Sequence, residues 1–411
     1  MTQAPEKSTV VVLTESYPFV RSSERAFFEP EIESLACTFD NVIIMPRNRR
    51  DDISTLSAPS NVTVSTAWVD HKDRRMRWRR LRFAPQAWMT GKVATETHRK
   101  RSLTFGMSAI AMSRFLDRWM TENAMNPDTT LFYTFWFDYS TAALAFLKQK
   151  RKDLRIVTRV HSYDETSPVG RRWKTMTSTM LDGVFPVSLH SLELFKECVE
   201  SGSLPSLTEV NLLGCPDLLQ TKGEKTDGTI KIFTACRLDG EKWLDRMLEF
   251  IDALATAREE RIIWIVAGGG NEEKRFKNSA EQNSNSNLTI DLRGQIDNKT
   301  VHEIYDRESI DWAFLLSPAE GLPIALCEAL MHGVPAVAND VGGISEIITD
   351  DTGVLLAADP EKEEFVRGIA PWLDSPYRYR LLAEGARAFA KENLDSSSLR
   401  GRFAKRIRSL L

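Results

Sequence analysis

SPAEGLPIALCEALMHGVPAVANDVGGISEII, residues Ser317 to Ile348, is the most informative stretch of this 411-residue chain. A buried strand, Trp312–Leu316, runs into Ser317-Pro318. A tight loop with Glu320 and Gly321 follows, and Pro323 stands at the expected first helical position, where its missing N–H costs nothing. A strand, a loop and a helix in this order leave N–H groups free at the helix start, and the positive helix end favours an anion there. Gly321 has no side chain, so a ligand can come close to the backbone. Glu328 lies inside the helix, eight residues after Glu320. Two carboxylates near one helix start suit a polyhydroxyl ligand, because an ionised carboxylate accepts hydrogen bonds from hydroxyls. Either acid taken alone reads as a solvated surface group. Glu328, however, sits among Ile324, Ala325, Leu326, Cys327, Ala329 and Leu330, and a carboxylate in so apolar a helix needs a partner.

Outward from this stretch, short runs rich in Val and Ile alternate with amphipathic segments. Strands are expected at Thr9–Leu13, Val42–Met45, Thr130–Tyr133, Arg155–Arg159, Gly183–Pro186, Ile230–Ala235, Ile262–Val266, Leu288–Leu292 and Pro335–Ala338, as well as at Trp312–Leu316. A helix is expected from Glu24 to Cys37, and the tail from Arg378 to Leu411 reads as wholly helical. Such alternation implies α/β domains with parallel sheets covered by helices on both faces. The polar run Asp217–Gly228 lacks apolar periodicity and suits a linker. The expected organisation is a domain over 1–217, a linker over 218–228, a second domain over 229–380 and helices over 381–411. Two Rossmann-like domains facing a central cleft would place ligands at the C-terminal ends of their strands.

Composition narrows the function classes. Lys and Arg total 54 against 57 Asp and Glu, a net charge of −3, which argues against a nucleic-acid partner. The five cysteines are scattered without a CxxC, so neither a disulfide framework nor a structural metal site is expected, and a cytoplasmic location fits. Residues 71–101 depart from this balance, with eleven Lys or Arg against Asp73 and Glu96, and with Trp78, Phe83 and Trp88 interleaved. The segment reads either as a solvated charged loop or as a patch for anionic lipid headgroups or a lipid-diphosphate acceptor, which would bring the protein to the inner face of the membrane.

Three further motifs precede the first stretch: ACRLDGEK at Ala235–Lys242, IWIVAGGG at Ile263–Gly270 and LRGQI at Leu292–Ile296. Arg237 and Lys242 alone would read as surface ion pairs with Asp239 and Glu241. Gly268, Gly269 and Gly270 do not complete GxGxxG, because position 273 is Glu, and Gly91-Lys92 is followed by Val93 rather than Ser or Thr. Dinucleotide and Walker-type readings therefore fail on their own required residues.

Together with Glu320…Glu328 and HGVPAVANDVGGISEII, these motifs resemble, in order, the retaining glycosyltransferases of family 4, and in particular bacterial polysaccharide-biosynthesis members. The resemblance implies the GT-B fold and transfer of a hexosyl group from a nucleotide-diphosphate sugar to a glycan or lipid-linked acceptor. It implies no cofactor and no metal, and no DxD occurs in the chain. Arg237 and Lys242 would neutralise the donor diphosphate, and Glu320 would hold hydroxyls of the donor sugar. The backbone of Gly321, Leu322 and Pro323 would line the sugar-phosphate pocket, with Gly269 beside it. Glu328 would bind the ribose, and Gly294, Gln295 and Ile296 would flank the base. In the first half, His161 follows a strand and would contact the donor sugar, while Tyr17 and Asp164 would meet the acceptor. The helices of 381–411 would cross back to the first domain. Cys236 and Trp243 stand where the family has glycines, and the first loop, Thr14–Pro18, lacks its glycine pair. The alternative reading is a catalytically silent GT-B subunit that binds a nucleotide sugar or glycan.

Overall fold

The computed structural model describes residues 7–19, 22, 24–50, 58–71, 99–161, 170–216, 228–240 and 242–411. These fall into two compact units, one of 1–213 with 398–411 and one of 214–397.

The first unit holds a parallel sheet of β1 (Thr9–Thr14), β2 (Asn41–Pro46), β3 (Val62–Val64), β4 (Thr130–Thr134), β5 (Arg155–Val160), β6 (Gly183–Pro186) and β7 (Leu207–Thr208). The spatial order is β3-β2-β1-β4-β5-β6-β7. β1 is buried along its whole length, which its unbroken run TVVVLT anticipates for a strand covered on both faces. It pairs with β2 through Val11↔Ile43 and with β4 through Val11↔Phe132. Connections therefore leave β1 towards opposite sides, and the loops after β1 and β4 meet at the point where strand order reverses, the expected ligand position in such a sheet.

The second unit repeats the scheme with β8 (Ile230–Ala235), β9 (Ile262–Ala267), β10 (Leu288–Gly294), β11 (Trp312–Leu315), β12 (Ala336–Asn339) and β13 (Gly353–Leu356), again all parallel. Its order is β10-β9-β8-β11-β12-β13, so the reversal lies between β8 and β11. Trp264, Trp312 and Phe314 fill the core against Met247, Phe250 and Ile251 of the helix Leu244–Ala257.

Three boundaries differ from the sequence reading. The C-terminal helix is interrupted at Leu394 and Asp395, between the helices Pro376–Asn393 and Ser396–Arg408. The Cys215 backbone fills the break, donating to Leu394 O (2.8 Å) and accepting from Ser396 N (3.0 Å). The second unit extends to Ser397 rather than 380, because the helix Pro376–Asn393 packs on the helix Ile324–Met331. Pro323 is the residue before that helix and is extended, one place earlier than expected. Residues 217–227 of the expected linker lie outside the described residues.

Candidate active site

Five loops gather at the C-terminal ends of the second sheet, and backbone contact holds them together. Gly268, at φ +150°, lies so close to the β8 loop that a Cβ would stand 1.8 Å from the Cys236 carbonyl oxygen. Leu238 N donates to Gly269 O (3.0 Å) and Gly268 N to Gly294 O (2.8 Å), which ties the loops after β8, β9 and β10 together. Gly342, at φ +62°, is pressed against Glu320, where a Cβ would fall 1.6 Å from the carbonyl oxygen. Gly343 N donates to Gly321 O (2.8 Å). The loop that carries Glu320 is thus shaped by the loop after β12.

Within this frame the Lys242 ammonium forms an ion pair with the Glu320 carboxylate. Both side chains are only about an eighth exposed, at 13% and 12%, so the pair is little screened. Arg237 projects outward, 71% exposed, and pairs with Asp239 at 2.7 Å. The two cations expected on a diphosphate are therefore each already balanced by a carboxylate of the same unit. An incoming phosphate would have to compete with Glu320 for Lys242. The residues that replace the family's glycines are accommodated separately. Burial pushes the Cys236 thiol up to about 12, which keeps it neutral beside Lys242. Trp243 precedes the helix Leu244–Ala257, and the Arg246 guanidinium lies over its ring at 4.6 Å.

Glu328 is buried on the helix Ile324–Met331, and burial raises its carboxyl from the ordinary range to about 7. Asn298 Nδ2 donates to its Oε1 at 2.5 Å, which acts in the opposite direction. Behind it stand two buried histidines: His302 Nε2 lies 4.0 Å from Glu328 Oε1, and His302 Nδ1 lies 3.0 Å from His332 Nε2. His332 Nδ1 in turn meets Asp306 Oδ1 at 3.1 Å, with the Tyr305 ring stacked on the imidazole at 5.0 Å. Burial lowers both histidines, His332 to about 4, so both are neutral near pH 7. None of Asn298, His302, Asp306 and His332 was singled out in the sequence. A signal was present, since Asn298, His302 and Asp306 recur every four residues and so share one face of the helix Asn298–Arg307.

The remaining residues expected on the donor side lie on the same loops. Gly269 approaches Gln295, where a Cβ would come within 3.0 Å of the Gln295 Cβ. Gln295 is exposed, Gly294, Ile296, Gly321 and Leu322 are half-buried, and Pro323 is buried.

In the first unit, His161 follows β5, and its ring lies 4.2 Å from that of Trp136 and 5.0 Å from that of Phe135. Tyr17, expected to meet an acceptor, is instead fully buried. It packs edge-on against Phe28 at 5.2 Å, and its hydroxyl is 3.3 Å from Glu29 Oε1. Asp164 and residues 72–98 of the basic segment lie outside the described residues. Sequence reasoning missed Glu24, a wholly buried carboxylate that accepts from Glu15 N (3.1 Å), Ser16 N (2.6 Å), Tyr17 N (2.7 Å) and Trp136 Nε1 (2.6 Å).

Residues 217–389 match the family described as Glycosyl transferases group 1. An uncharacterized glycosyltransferase of Methanocaldococcus jannaschii is 27% identical over 176 residues, 42% of this chain and 43% of that protein. The GDP-mannose-dependent alpha-(1-6)-phosphatidylinositol dimannoside mannosyltransferase of Mycobacterium tuberculosis is 30% identical over 145 residues, 35% of either chain. The matched stretch thus spans less than half of each of these two relatives. Among solved structures, Anabaena Alr3699/HepE in complex with UDP superposes with a TM-score of 0.65 at 15% identity, covering 98% of this chain and 100% of that one. With two parallel sheets of matching order, the chain has the GT-B fold of two Rossmann-like domains, and its residues 217–389 match the group 1 glycosyltransferase family.

Proposed function

We propose that this protein is a retaining, metal-independent hexosyltransferase that uses a nucleotide-diphosphate sugar and a glycan or lipid-linked acceptor in cell-surface polysaccharide synthesis. The observation that carries this reading is the Lys242–Glu320 pair, held at the strand-order reversal by the Gly342 contact. Donor binding exchanges one partner for another. The diphosphate takes the Lys242 ammonium, and the released Glu320 carboxylate accepts hydrogen bonds from sugar hydroxyls. Arg237, at the exposed rim, adds a second cation. As the bond from C1 to the diphosphate oxygen breaks, the charge on the leaving group grows, and fixed cations stabilise that charge more than the ground state. The acceptor oxygen bonds to C1 on the same face, and its proton passes to the departing phosphate oxygen. Glu328 holds the ribose, and Gly294, Gln295 and Ile296 flank the base.

GDP-mannose is the first donor to test, since the mycobacterial relative is named for it, with UDP-glucose second. Purified protein should release the nucleoside diphosphate from one of them. Lys242→Ala and Glu320→Ala should each lower that rate by about 10²-fold, the usual effect of removing one charge-stabilising group, measured at a temperature where thermal unfolding shows each variant still folded. Near-native turnover in either variant would remove that residue from the mechanism. The pre-paired cations also suit a silent nucleotide-sugar-binding subunit, and that reading holds if a donor raises the melting temperature without being turned over.

A further inference from the structure

The loop after β1 ends on three successive N–H groups, those of Glu15, Ser16 and Tyr17, aimed at one point. Such a concavity, beside the start of the helix Arg25–Thr38 and at the strand-order reversal, is built to hold an anion. In this chain the anion is internal. The Glu24 carboxylate fills the concavity, and a fourth donor, the Trp136 indole N–H, arrives from the loop after β4. Four charge-assisted hydrogen bonds on a wholly buried carboxylate leave no room for a phosphate oxygen, and displacing the carboxylate would strand its charge.

What Glu24 does instead is fix Trp136. The indole is pinned by its N–H on one edge and backed by the His161 imidazole at 4.2 Å, yet it remains half-buried rather than enclosed. Phe135 supports His161 at 5.0 Å, and Phe28 supports Phe135 at 5.1 Å, so the ring rests on a packed aromatic column. A rigid, partly open indole at the ligand end of a sheet offers an apolar, electron-rich face. That face matches the C–H face of a pyranose and has little to offer a phosphate.

We propose that Trp136 is a stacking platform for a pyranose ring, that Glu24 is its positioning residue, and that the first loop takes no phosphate. The reading as a glycosyltransferase supplies the reason for a sugar to be there, and competition with the donor decides whether that sugar is the donor's or the acceptor's.

The test is saturation-transfer NMR on the full chain with methyl α-D-mannopyranoside and methyl α-D-glucopyranoside, in the presence of GDP or UDP. Native protein should transfer saturation to the ring protons of at least one glycoside. Trp136→Ala should lose that transfer, and Trp136→Phe should keep a reduced part of it. Glu24→Ala should lose most of it and regain it in sodium formate but not in sodium chloride of equal ionic strength, because formate refills the concavity. The melting-temperature rise given by the nucleotide should be unchanged in all three variants. Displacement of the glycoside by GDP-mannose or UDP-glucose but not by GDP or UDP assigns the platform to the donor sugar, and displacement by none of the four assigns it to the acceptor. Native-like transfer in Trp136→Ala, or no transfer in native protein, overturns the proposal. A native protein that binds glycoside but responds to no nucleotide would strike the transferase reading and leave the platform standing.

Discussion

Glu328 is the residue whose chemistry is most strongly set by its surroundings. Its carboxyl is raised to about 7 by burial, so near neutrality it exchanges between a neutral and an ionised form. His302 and His332 are both held neutral there, which leaves Glu328 as the group of this cluster that titrates around pH 7. Because the folded value lies above the unfolded one, the neutral form stabilises the fold at low pH. That contribution is complete below about 4 and is lost as pH rises through about 7. In the proposed role of Glu328, ribose hydroxyls would donate to the ionised form, so nucleotide affinity should run the other way and fall up to about tenfold per pH unit below 7. Calorimetric titration of the nucleotide across this range should show the fall in native protein and a flat profile in Glu328→Gln. Asn298→Ala removes the hydrogen bond that favours ionisation, so the inflection should move to higher pH. At this scale the sequence showed the glutamates and Lys242, because their spacing is local. It hid Glu24, whose indole partner lies 112 residues away and whose other partners are backbone groups.

At the scale of elements, the strands expected from unbroken Val and Ile runs are all present, because a strand covered on both faces leaves that pattern. The ones not anticipated are β3, β7 and β13. Each has at most four residues and incomplete burial, too little for a periodic signal. The break at Leu394 was hidden for a different reason. It is made by the Cys215 backbone, and backbone contacts leave no mark on residue type. The same is true of the loop that presents Glu320. Gly342 is needed twice, for its positive φ and for the space its missing Cβ leaves beside the Glu320 carbonyl. Gly342→Ala should therefore act on catalysis through the loop. Donor turnover should fall by at least tenfold and the melting temperature by a few degrees, although residue 342 carries no functional group. Steady-state rates alongside thermal unfolding check this, and native rates would mean that the loop after β11 holds its shape unaided.

At the scale of the whole molecule, the second unit was the legible half, since its motifs are contiguous and ordered. The first unit was not, because what holds it together is assembled from distant segments. Arg159, wholly buried in β5, donates to Glu31 Oε2, Tyr133 Oη and Asn211 O, each at 2.9 Å. Phe403 of the terminal helix lies over its guanidinium at 4.1 Å and against Tyr133 at 5.2 Å and Phe185 at 4.9 Å. One arginine thus joins a strand (Tyr133), a helix (Glu31) and a loop (Asn211) to the segment Ser398–Leu411 and keeps that segment with the first unit. Buried ion pairs add little net stability over apolar packing, but halving one strands a charge, at a cost of about 3–5 kcal/mol. Arg159→Met should therefore lose stability of that order, whereas Arg159→Met with Glu31→Leu should recover much of it, because no lone carboxylate remains. Urea unfolding of the two variants beside native protein makes the comparison. If the double variant is as unstable as the single one, the hydrogen bonds to Tyr133 and Asn211 and the stacking on Phe403 hold the terminal helix, and the charge on Glu31 is incidental.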